Sequence, residues 1–325
     1  MDVSIVVPTH NGAERLSDTL AHVAAQRPPA GLDWEVLVVD NGSTDGTAEA
    51  AVAAWPADAP VPLRVVREPR LGLSHAHVRG FAEASGEIVT WVEDDNWIAP
   101  DWVERAWETM REHPEVGACG GRNEPACEVE PPPWFERLQG YLACGDQGDK
   151  PGDVSDERGY LWGAGLTVRK KAWDHLVDNG FRLLLVDRQG SDNVNSGGDS
   201  EICLALRLSG WRLWFEPRLR LRHFLPARRL DWGYLRRLSR GVGASTVAFD
   251  PYRRALGVAD RGRGGWAAAA PLAAAKLALN PPLRRGEGDP AMLKFEIHLG
   301  RLQALLRERR SYDRSFAAIE QAAWR

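Results

Sequence analysis

The sequence predicts an α/β protein built on a doubly wound, mostly parallel β-sheet. Short apolar runs rich in β-branched residues alternate four times with segments of helical periodicity before residue 93. Alternation of this kind favours parallel strands joined by helices. Each run ends in turn-forming or acidic residues, so polar side chains are expected at the carboxyl edge of the sheet, where open α/β sheets bind their ligands.

The predicted elements follow in chain order. Four strands cover 3–8, 34–39, 63–66 and 88–92, with helices between them. Beyond them we expect a helix over 100–112, a strand over 116–121, an irregular stretch over 122–158, a strand over 160–168 and a helix near 172–177. A polar stretch over 189–198 leads to a helix over 199–208 and strands over 211–215 and 219–223. Helical periodicity returns at 230–247, 266–279, 292–308 and 312–324.

Composition and charge limit the function classes. The chain has 325 residues and a net charge of −4, but the region from Pro226 onward carries 19 Lys and Arg against 9 Asp and Glu. The four cysteines form no Cys-x-x-Cys pair, so neither a zinc site nor a disulfide framework is expected. No secretory signal or apolar run of about 20 residues is evident. These features predict a cytoplasmic protein that can also contact the inner face of a membrane.

Three consecutive carboxylates follow the fourth predicted strand. The run Ile88–Val92 is uncharged and rich in β-branched and aromatic residues, which is typical of a buried parallel strand, and Glu93-Asp94-Asp95 comes directly after it. Adjacent carboxylates repel one another, and Mg²⁺ or Mn²⁺ relieves the repulsion because these cations prefer oxygen ligands. A solvated acidic turn is the alternative interpretation.

Four motifs in this order resemble those of the family 2 glycosyltransferases. They are Val6 to Asn11, Val38 to Thr47, Glu93-Asp94-Asp95 and Gly198 to Glu201, and the resemblance covers roughly residues 1–225. It implies a GT-A fold in which a nucleotide-sugar-binding part, 1–121, joins an acceptor-binding and catalytic part, 122–225. A basic, mainly helical C-terminal region, 226–325, follows. The implied reaction is the inverting, metal-dependent transfer of a sugar from a nucleoside diphosphate to an acceptor hydroxyl, in the synthesis of cell-surface polysaccharides or glycoconjugates.

The resemblance assigns the donor side of the site to the carboxyl edge of the sheet. Breaking the anomeric bond leaves negative charge on the diphosphate, which Mn²⁺ or Mg²⁺ stabilises. The implied metal ligands are Asp95, Glu93 and His223, although His223 also fits a structural role. Arg67 and Arg79 are further cations able to face the diphosphate. The residues expected to contact the nucleotide sugar are Pro8, Thr9, Asn11, Asp40, Arg70, Asp94 and Asp95.

The resemblance also implies the acceptor side. Asp199 aligns with the catalytic aspartate and serves as general base, because the acceptor hydroxyl loses a proton as it attacks. Glu201, Trp162 and Gly163 belong to the acceptor side. Three positions depart from the family pattern, namely Glu93 at the first acidic position of the metal motif, His77 in place of an arginine, and Gly198 in place of a glutamate.

Two other functions remain open from the sequence alone. A nucleotidyltransferase shares the fold class, and the three departures are compatible with a catalytically impaired scaffold that acts as a binding partner. The donor nucleotide is UDP, GDP or TDP, and the acceptor is a glycan, a lipid-linked molecule or a protein. The basic C-terminal region can contact an anionic membrane surface, or it can pair with the acidic front of the same chain or of a second subunit. Nucleic acid is not an expected partner, and the oligomeric state is left open.

Overall fold

The computed structural model describes residues 1–185, 197–258, 265–281 and 286–325. The chain divides into two compact units. The first comprises 1–126, 143–175 and 211–224, and the second comprises 127–142, 176–210 and 225–325. The predicted boundary at 225 lies beside one of these transitions, whereas the second unit also takes in two earlier stretches of the chain.

The first unit is organised around a mixed β-sheet. The described residues contain the strands β1 (Val3–Thr9), β2 (Trp34–Asp40), β3 (Leu63–Arg67), β4 (Ile88–Trp91), β5 (Asn96–Ile98), β6 (Val116–Cys127), β7 (Gly152–Asp153), β8 (Thr167–Arg169) and β9 (Arg212–Leu225). They are ordered β3-β2-β1-β4-β8-β6-β9-β5, with β7 beside β9. The pairs among β3, β2, β1 and β4 are parallel, which confirms the predicted α/β class. β8, β5 and β7 each pair antiparallel to a neighbour.

Helices cover the parallel strands and complete the second unit. The described helices are α1 (Leu16–Ala24), α2 (Thr47–Ala54), α3 (Leu73–Glu83), α4 (Trp102–Glu112), α5 (Phe135–Leu138), α6 (Lys170–Asp178), α7 (Gly198–Leu208), α8 (Trp232–Ala255), α9 (Gly265–Ala278), α10 (Pro290–Arg307) and α11 (Arg309–Glu320). In the first unit, alternate residues of β1 share a buried cluster with Leu16, Leu20 and Val23 of α1. The spacing of these three residues gives α1 the apolar face that covers the sheet.

Three predicted stretches differ from the structure. Only Thr167 and Val168 of the predicted strand over 160–168 lie in a strand, since the Gly163 carbonyl accepts a hydrogen bond from the Leu166 amide and closes a turn before β8. The strands predicted over 211–215 and 219–223 are the single strand β9, and β6 continues to Cys127. Most of the polar stretch over 189–198 lies outside the described residues.

The second unit contains the helical C-terminal region that the sequence predicts. Its helices bury a small cluster formed by α8, α9, α10 and α11, with Val247, Ala273, Leu305 and Phe316 among its members. Among the residues that the structure describes, no helix combines the length and the apolar character needed to cross a membrane.

Candidate functional site

The carboxyl ends of β1, β2 and β4 bring predicted donor-side residues to one edge of the sheet. Thr9 and Asp40 are paired in register at the ends of β1 and β2. The Thr9 hydroxyl donates a hydrogen bond to Oδ2 of Asp94 at 2.7 Å, which ties β1 to the acidic turn after β4. Pro8 lies one residue before Thr9, opposite Val39 of β2. Because parallel strands end together, residues far apart in the chain meet here.

Asp94 is held by a cation that the sequence pattern did not single out. Arg15 donates from its guanidinium to the same carboxylate oxygen at 2.8 Å. Burial raises the pKa of Asp94 and the neighbouring Asp95 raises it further, whereas Arg15 and Thr9 lower it. Gly12 lies against this group, because a Cβ on Gly12 would come within 2.1 Å of the Thr9 hydroxyl and 2.6 Å of Asp94 Oδ2.

Asp95 and His223 lie next to each other. Asn96 begins β5 and is paired with His223 of β9 in the antiparallel register. His223 Nε2 therefore lies 3.7 Å from Asp95 Oδ1, and both side chains are buried. The other ring nitrogen, Nδ1, lies 4.0 Å from the sulfur of Cys144. This arrangement joins a carboxylate oxygen and an imidazole nitrogen at the end of the acidic turn.

These two side chains have the chemistry of a divalent cation site. Carboxylate oxygen suits Mg²⁺ and Mn²⁺, and imidazole is a common transition-metal ligand. Among the described residues, no three His, Cys, Asp or Glu side chains form a group able to hold a metal ion. A pair is nevertheless consistent with a nucleotide site, where one or two protein ligands act together with substrate phosphates. Glu93 begins the turn, and its carbonyl accepts a hydrogen bond from the Asn96 amide at 2.9 Å.

The loops after β1 and β2 are fastened to each other by side chains from the predicted motifs. Asn11, in the left-handed region with φ of 48°, accepts a hydrogen bond on its side-chain oxygen from the Thr44 amide at 2.9 Å. Asp40 accepts one from the Ser43 amide, three residues on, at 2.9 Å. Both side chains thus shape the donor-side loops, a role beyond the nucleotide contact that the resemblance implies.

Asn41 performs a structural role that the sequence analysis missed. Its amide nitrogen donates to the carbonyl oxygens of Glu68 and Arg70, and its amide oxygen accepts from the Gly72 amide. One side chain thereby holds the loop between β3 and α3. An asparagine in an Asp-Asn-Gly turn is the only sequence signal for this role.

Two of the three predicted diphosphate-facing cations, Arg70 and Arg79, are engaged with acids in this structure, and Arg67 ends β3 in register with Asp40. Arg70 forms a bidentate pair with the buried Glu68, at 2.8 and 3.1 Å, and this pairing lowers the pKa of the Glu68 carboxyl. Arg79 pairs with Glu83 one turn along α3 at 2.7 Å. The departure at His77 has a packing explanation, since its ring stacks on Trp91 of β4 with the centroids 3.7 Å apart.

Trp162 and Gly163 lie in the loop before β8 in the first unit. The guanidinium of Arg158 sits 4.5 Å from the centroid of the half-buried Trp162 ring, in a cation–π contact. The Trp162 amide donates to Gln147 Oε1 at 2.7 Å. These contacts fix the orientation of the tryptophan.

Asp199 lies in the first turn of α7, in the second unit. Its Oδ1 accepts a hydrogen bond from the Ser200 amide at 2.7 Å, and the side chain is partly exposed. Gly197 precedes the helix with φ of 141°, a conformation that side chains rarely adopt. The position of a Cβ on Gly197 lies 2.8 Å from the Phe249 ring of α8, so this glycine permits helix packing.

Glu201 is fully buried two residues after Asp199. Its carboxylate accepts hydrogen bonds from the amides of Leu184 and Leu185 and from the hydroxyl of Tyr252. Burial raises the pKa of Glu201 to about 7, against the effect of these donors. The side chain therefore joins α7 to α8 and to the segment at 184–185, and these contacts give it a positioning role.

Comparison with known proteins identifies relatives of both the sequence and the fold. Residues 4–161 match the model of glycosyl transferase family 2. A dolichol-phosphate mannosyltransferase of Pyrococcus furiosus is 31% identical over 139 residues, which are 42% of this chain and 38% of that protein. A glucosyl-dolichyl phosphate glucuronosyltransferase of Haloferax volcanii is 24% identical over 239 residues, covering 72% of this chain and 73% of that protein.

Two solved structures share the fold. The mannosyltransferase PcManGT from Pyrobaculum calidifontis, in complex with GDP-Man and Mn²⁺, superposes with a TM-score of 0.56 at 21% identity, over 94% of this chain and 86% of that one. Residues 1–349 of S. aureus TarS, in complex with UDP, give 0.52 at 16% identity, over 99% of this chain and 92% of that one.

Proposed function

We propose that the chain, whose residues 4–161 match the model of glycosyl transferase family 2, transfers a sugar, with inversion, from a nucleoside diphosphate to a hydroxyl of a lipid-linked acceptor. Of the three functions left open by the sequence, glycosyl transfer is the one that the family match supports. The observation that carries the proposal is the 3.7 Å approach of His223 to Asp95 at the carboxyl edge of the parallel strands.

The donor side follows from the residues at this edge. Asp95 and His223 would hold a Mn²⁺ or Mg²⁺ ion, which supplies positive charge to the departing diphosphate. Asp94, fixed by Arg15 and Thr9, keeps the acidic turn in one conformation. The loops that Asn11 and Asp40 shape border the same strand ends, where a nucleotide binds in open α/β sheets.

The acceptor side depends on Asp199. As the acceptor oxygen forms its bond to the anomeric carbon, the bond to the diphosphate breaks and the hydroxyl proton passes to the Asp199 carboxylate. A single displacement of this kind inverts the anomeric centre. Glu201 keeps the first turn of α7 in place through its contacts with Leu184, Leu185 and Tyr252.

A lipid-linked acceptor is supported by the names of two relatives, which act on dolichol phosphate or on a glucosylated dolichyl phosphate. Transfer to a lipid phosphate and transfer to a hydroxyl of a lipid-linked sugar differ in one respect. A phosphate oxygen that is already ionised attacks without losing a proton, whereas a sugar hydroxyl needs a base. The aspartate at position 199 favours the hydroxyl.

Calorimetric titration with UDP, GDP and TDP, in Mn²⁺ and in chelator, tests the donor side. We expect one nucleotide to bind in Mn²⁺ and to lose at least tenfold in affinity in chelator. Asp95→Ala should abolish the metal-dependent part, and His223→Ala should weaken binding in Mn²⁺ more than in Mg²⁺, because imidazole is the softer ligand.

The matched control is Asp58→Ala, an exposed acid in a turn of the same unit. It should leave the titration unchanged. Equal nucleotide affinity in Mn²⁺ and in chelator would refute metal-dependent donor binding. Transfer to an acceptor from the preferred donor, followed by mass spectrometry of the product, then identifies the acceptor class.

A further inference from the structure

Some of the basic residues of the C-terminal region form ion pairs inside the second unit. Arg236 and Arg240 of α8 both bind the fully buried Glu296 of α10, at 2.7 and 2.6 Å. Leu235 and Leu238, which lie in the same part of α8, are buried. The charge excess alone does not define an interaction surface.

Helix α9 exposes apolar side chains on the face opposite its packing face. Ala269, Ala270 and Ala273 pack into the cluster shared with the neighbouring helices. On the other side Leu272 is 57% exposed and Leu279 is 80% exposed. Leu279 follows the last residue of α9, but its amide still donates to the Ala275 carbonyl, so Leu272 and Leu279, seven residues apart, lie on one stripe. The only charged residue within α9 is Lys276, which lies between them and is exposed.

Helix α10 packs against α9 and carries further cations. Burial lowers the pKa of His298 of α10, and the positive charges of Lys276, Lys294 and Arg301 lower it further. Arg301 is paired with the buried Asp250, whereas Lys276 and Lys294 are exposed. The surface of Leu272, Lys276, Leu279 and Lys294 is named the α9 surface below.

We infer that the α9 surface docks on a bilayer containing anionic phospholipid. Exposed leucines flanked by lysines are typical of a helix that lies in a membrane interface. The apolar side chains enter the boundary between the headgroups and the acyl chains, and the cations contact lipid phosphates. A twofold contact would lay the α9 surface against the same surface of a second copy, because such an interface is self-complementary, so Lys276 and Lys294 would be present on both sides of it. Like charges would then oppose association. The inference rests on the proposed function only in that a lipid-linked acceptor gives the enzyme a reason to reach a membrane.

Vesicle co-sedimentation of the full chain tests the inference. The vesicles contain phosphatidylcholine alone or with three parts in ten of phosphatidylglycerol, at low and at high salt. We expect binding to the anionic vesicles that weakens at high salt. Leu272→Gln with Leu279→Gln, and separately Lys276→Gln with Lys294→Gln, should each lower the partition coefficient by about tenfold or more, since one basic residue near the surface contributes about fivefold.

Val52→Gln is the control, because Val52 is an exposed apolar residue on α2 of the first unit. It should bind vesicles as the parent does. The inference is overturned if the parent does not bind anionic vesicles at low salt. It is also overturned if both double variants bind them as strongly as the parent does. A dimer in sedimentation velocity that the leucine variant abolishes would assign the surface to a second copy and overturn it as well.

Transfer to a short-chain, water-soluble acceptor separates this inference from the proposed function. The double variants should keep the parent rate on that acceptor while losing vesicle binding. If the parent binds anionic vesicles but transfers no sugar, the proposed function fails and the docking surface stands.

Discussion

The hydroxyl of Tyr252 donates a hydrogen bond to Oε1 of Glu201 at 2.7 Å, and both side chains are fully buried. Tyr252 belongs to α8, and Glu201 lies two residues after the proposed base. The buried carboxylate of Glu201 thus links α8 of the C-terminal region to the first turn of α7.

Tyr252→Phe should lower the free energy of unfolding by roughly 1–3 kcal/mol, the usual cost of leaving one partner of a buried hydrogen bond unsatisfied. The phenyl ring keeps the packing, so the loss reports the hydroxyl alone. Urea denaturation followed by tryptophan fluorescence measures it. Tyr160→Phe, at a partly exposed ring, is the matched control and should change little. A loss at Tyr252 no larger than that of the control would contradict this account.

The Glu201 carboxyl should make the stability of the second unit depend on pH. Its pKa is raised to about 7 in the folded protein, above the ordinary value of 4.5, so the folded state retains a proton that the unfolded state releases. The stabilisation is present below about pH 4.5 and is lost as the pH rises through about 7. Glu201→Gln cannot titrate and should lack this loss. Urea denaturation at pH 5 and at pH 8 gives the free energy of unfolding of both proteins. Between pH 5 and pH 8 the stability of Glu201→Gln relative to the parent should increase by on the order of 1–3 kcal/mol. An unchanged difference between the two proteins at the two pH values would count against the raised pKa.

The sequence predicted the parallel strands and the position of the acidic turn because both follow from local patterns. A run such as Ile88–Val92 has a strand pattern of its own, and its carboxyl end has to lie beside the end of β1. The partners Arg15 and Tyr252 follow no such pattern. Arg15 precedes a helix by one residue, and Tyr252 lies in a helix 51 residues after Glu201. Their contacts depend on how distant elements pack.

His223 was predicted from the family resemblance, and its position depends on strand pairing. The resemblance proposed it as a metal ligand, and the structure places its Nε2 3.7 Å from Asp95. The pairing that brings them together involves β5, a strand of three residues with no alternation to reveal it. Arg70 shows the opposite outcome. The resemblance predicts that it contacts the diphosphate, but in the structure it is paired with Glu68, an acid that no sequence motif indicated.

Gly12→Ala should disturb the group formed by Thr9, Asp94 and Arg15. The added methyl group would lie 2.1 Å from the Thr9 hydroxyl, so either the hydroxyl or the backbone must move. We expect a loss of about 1–3 kcal/mol in stability, the usual cost of overpacking, together with weaker nucleotide binding in Mn²⁺. Gly140→Ala is the control, because a Cβ on Gly140 meets no atom within 4 Å. Parent-like nucleotide affinity in Gly12→Ala would show that the Thr9–Asp94 hydrogen bond does not support the donor site.

Asp199→Asn should abolish most of the transfer while preserving donor binding. The amide keeps the shape of the side chain and its ability to accept from the Ser200 amide, but it cannot take the proton of an attacking hydroxyl. Loss of a general base lowers kcat by about 10²–10⁴-fold, and the affinity for the metal–nucleotide complex should change little because the lost interaction belongs to the transition state. Asp178 is an exposed acid at the end of α6, and the control variant Asp178→Asn should transfer sugar at the parent rate.

Measuring kcat with a lipid-linked saccharide and nucleotide affinity by calorimetry separates the two effects. A near-normal kcat in Asp199→Asn would remove the base assignment and point to an ionised phosphate as the acceptor, and an α-linked product from an α-linked donor would independently refute inversion.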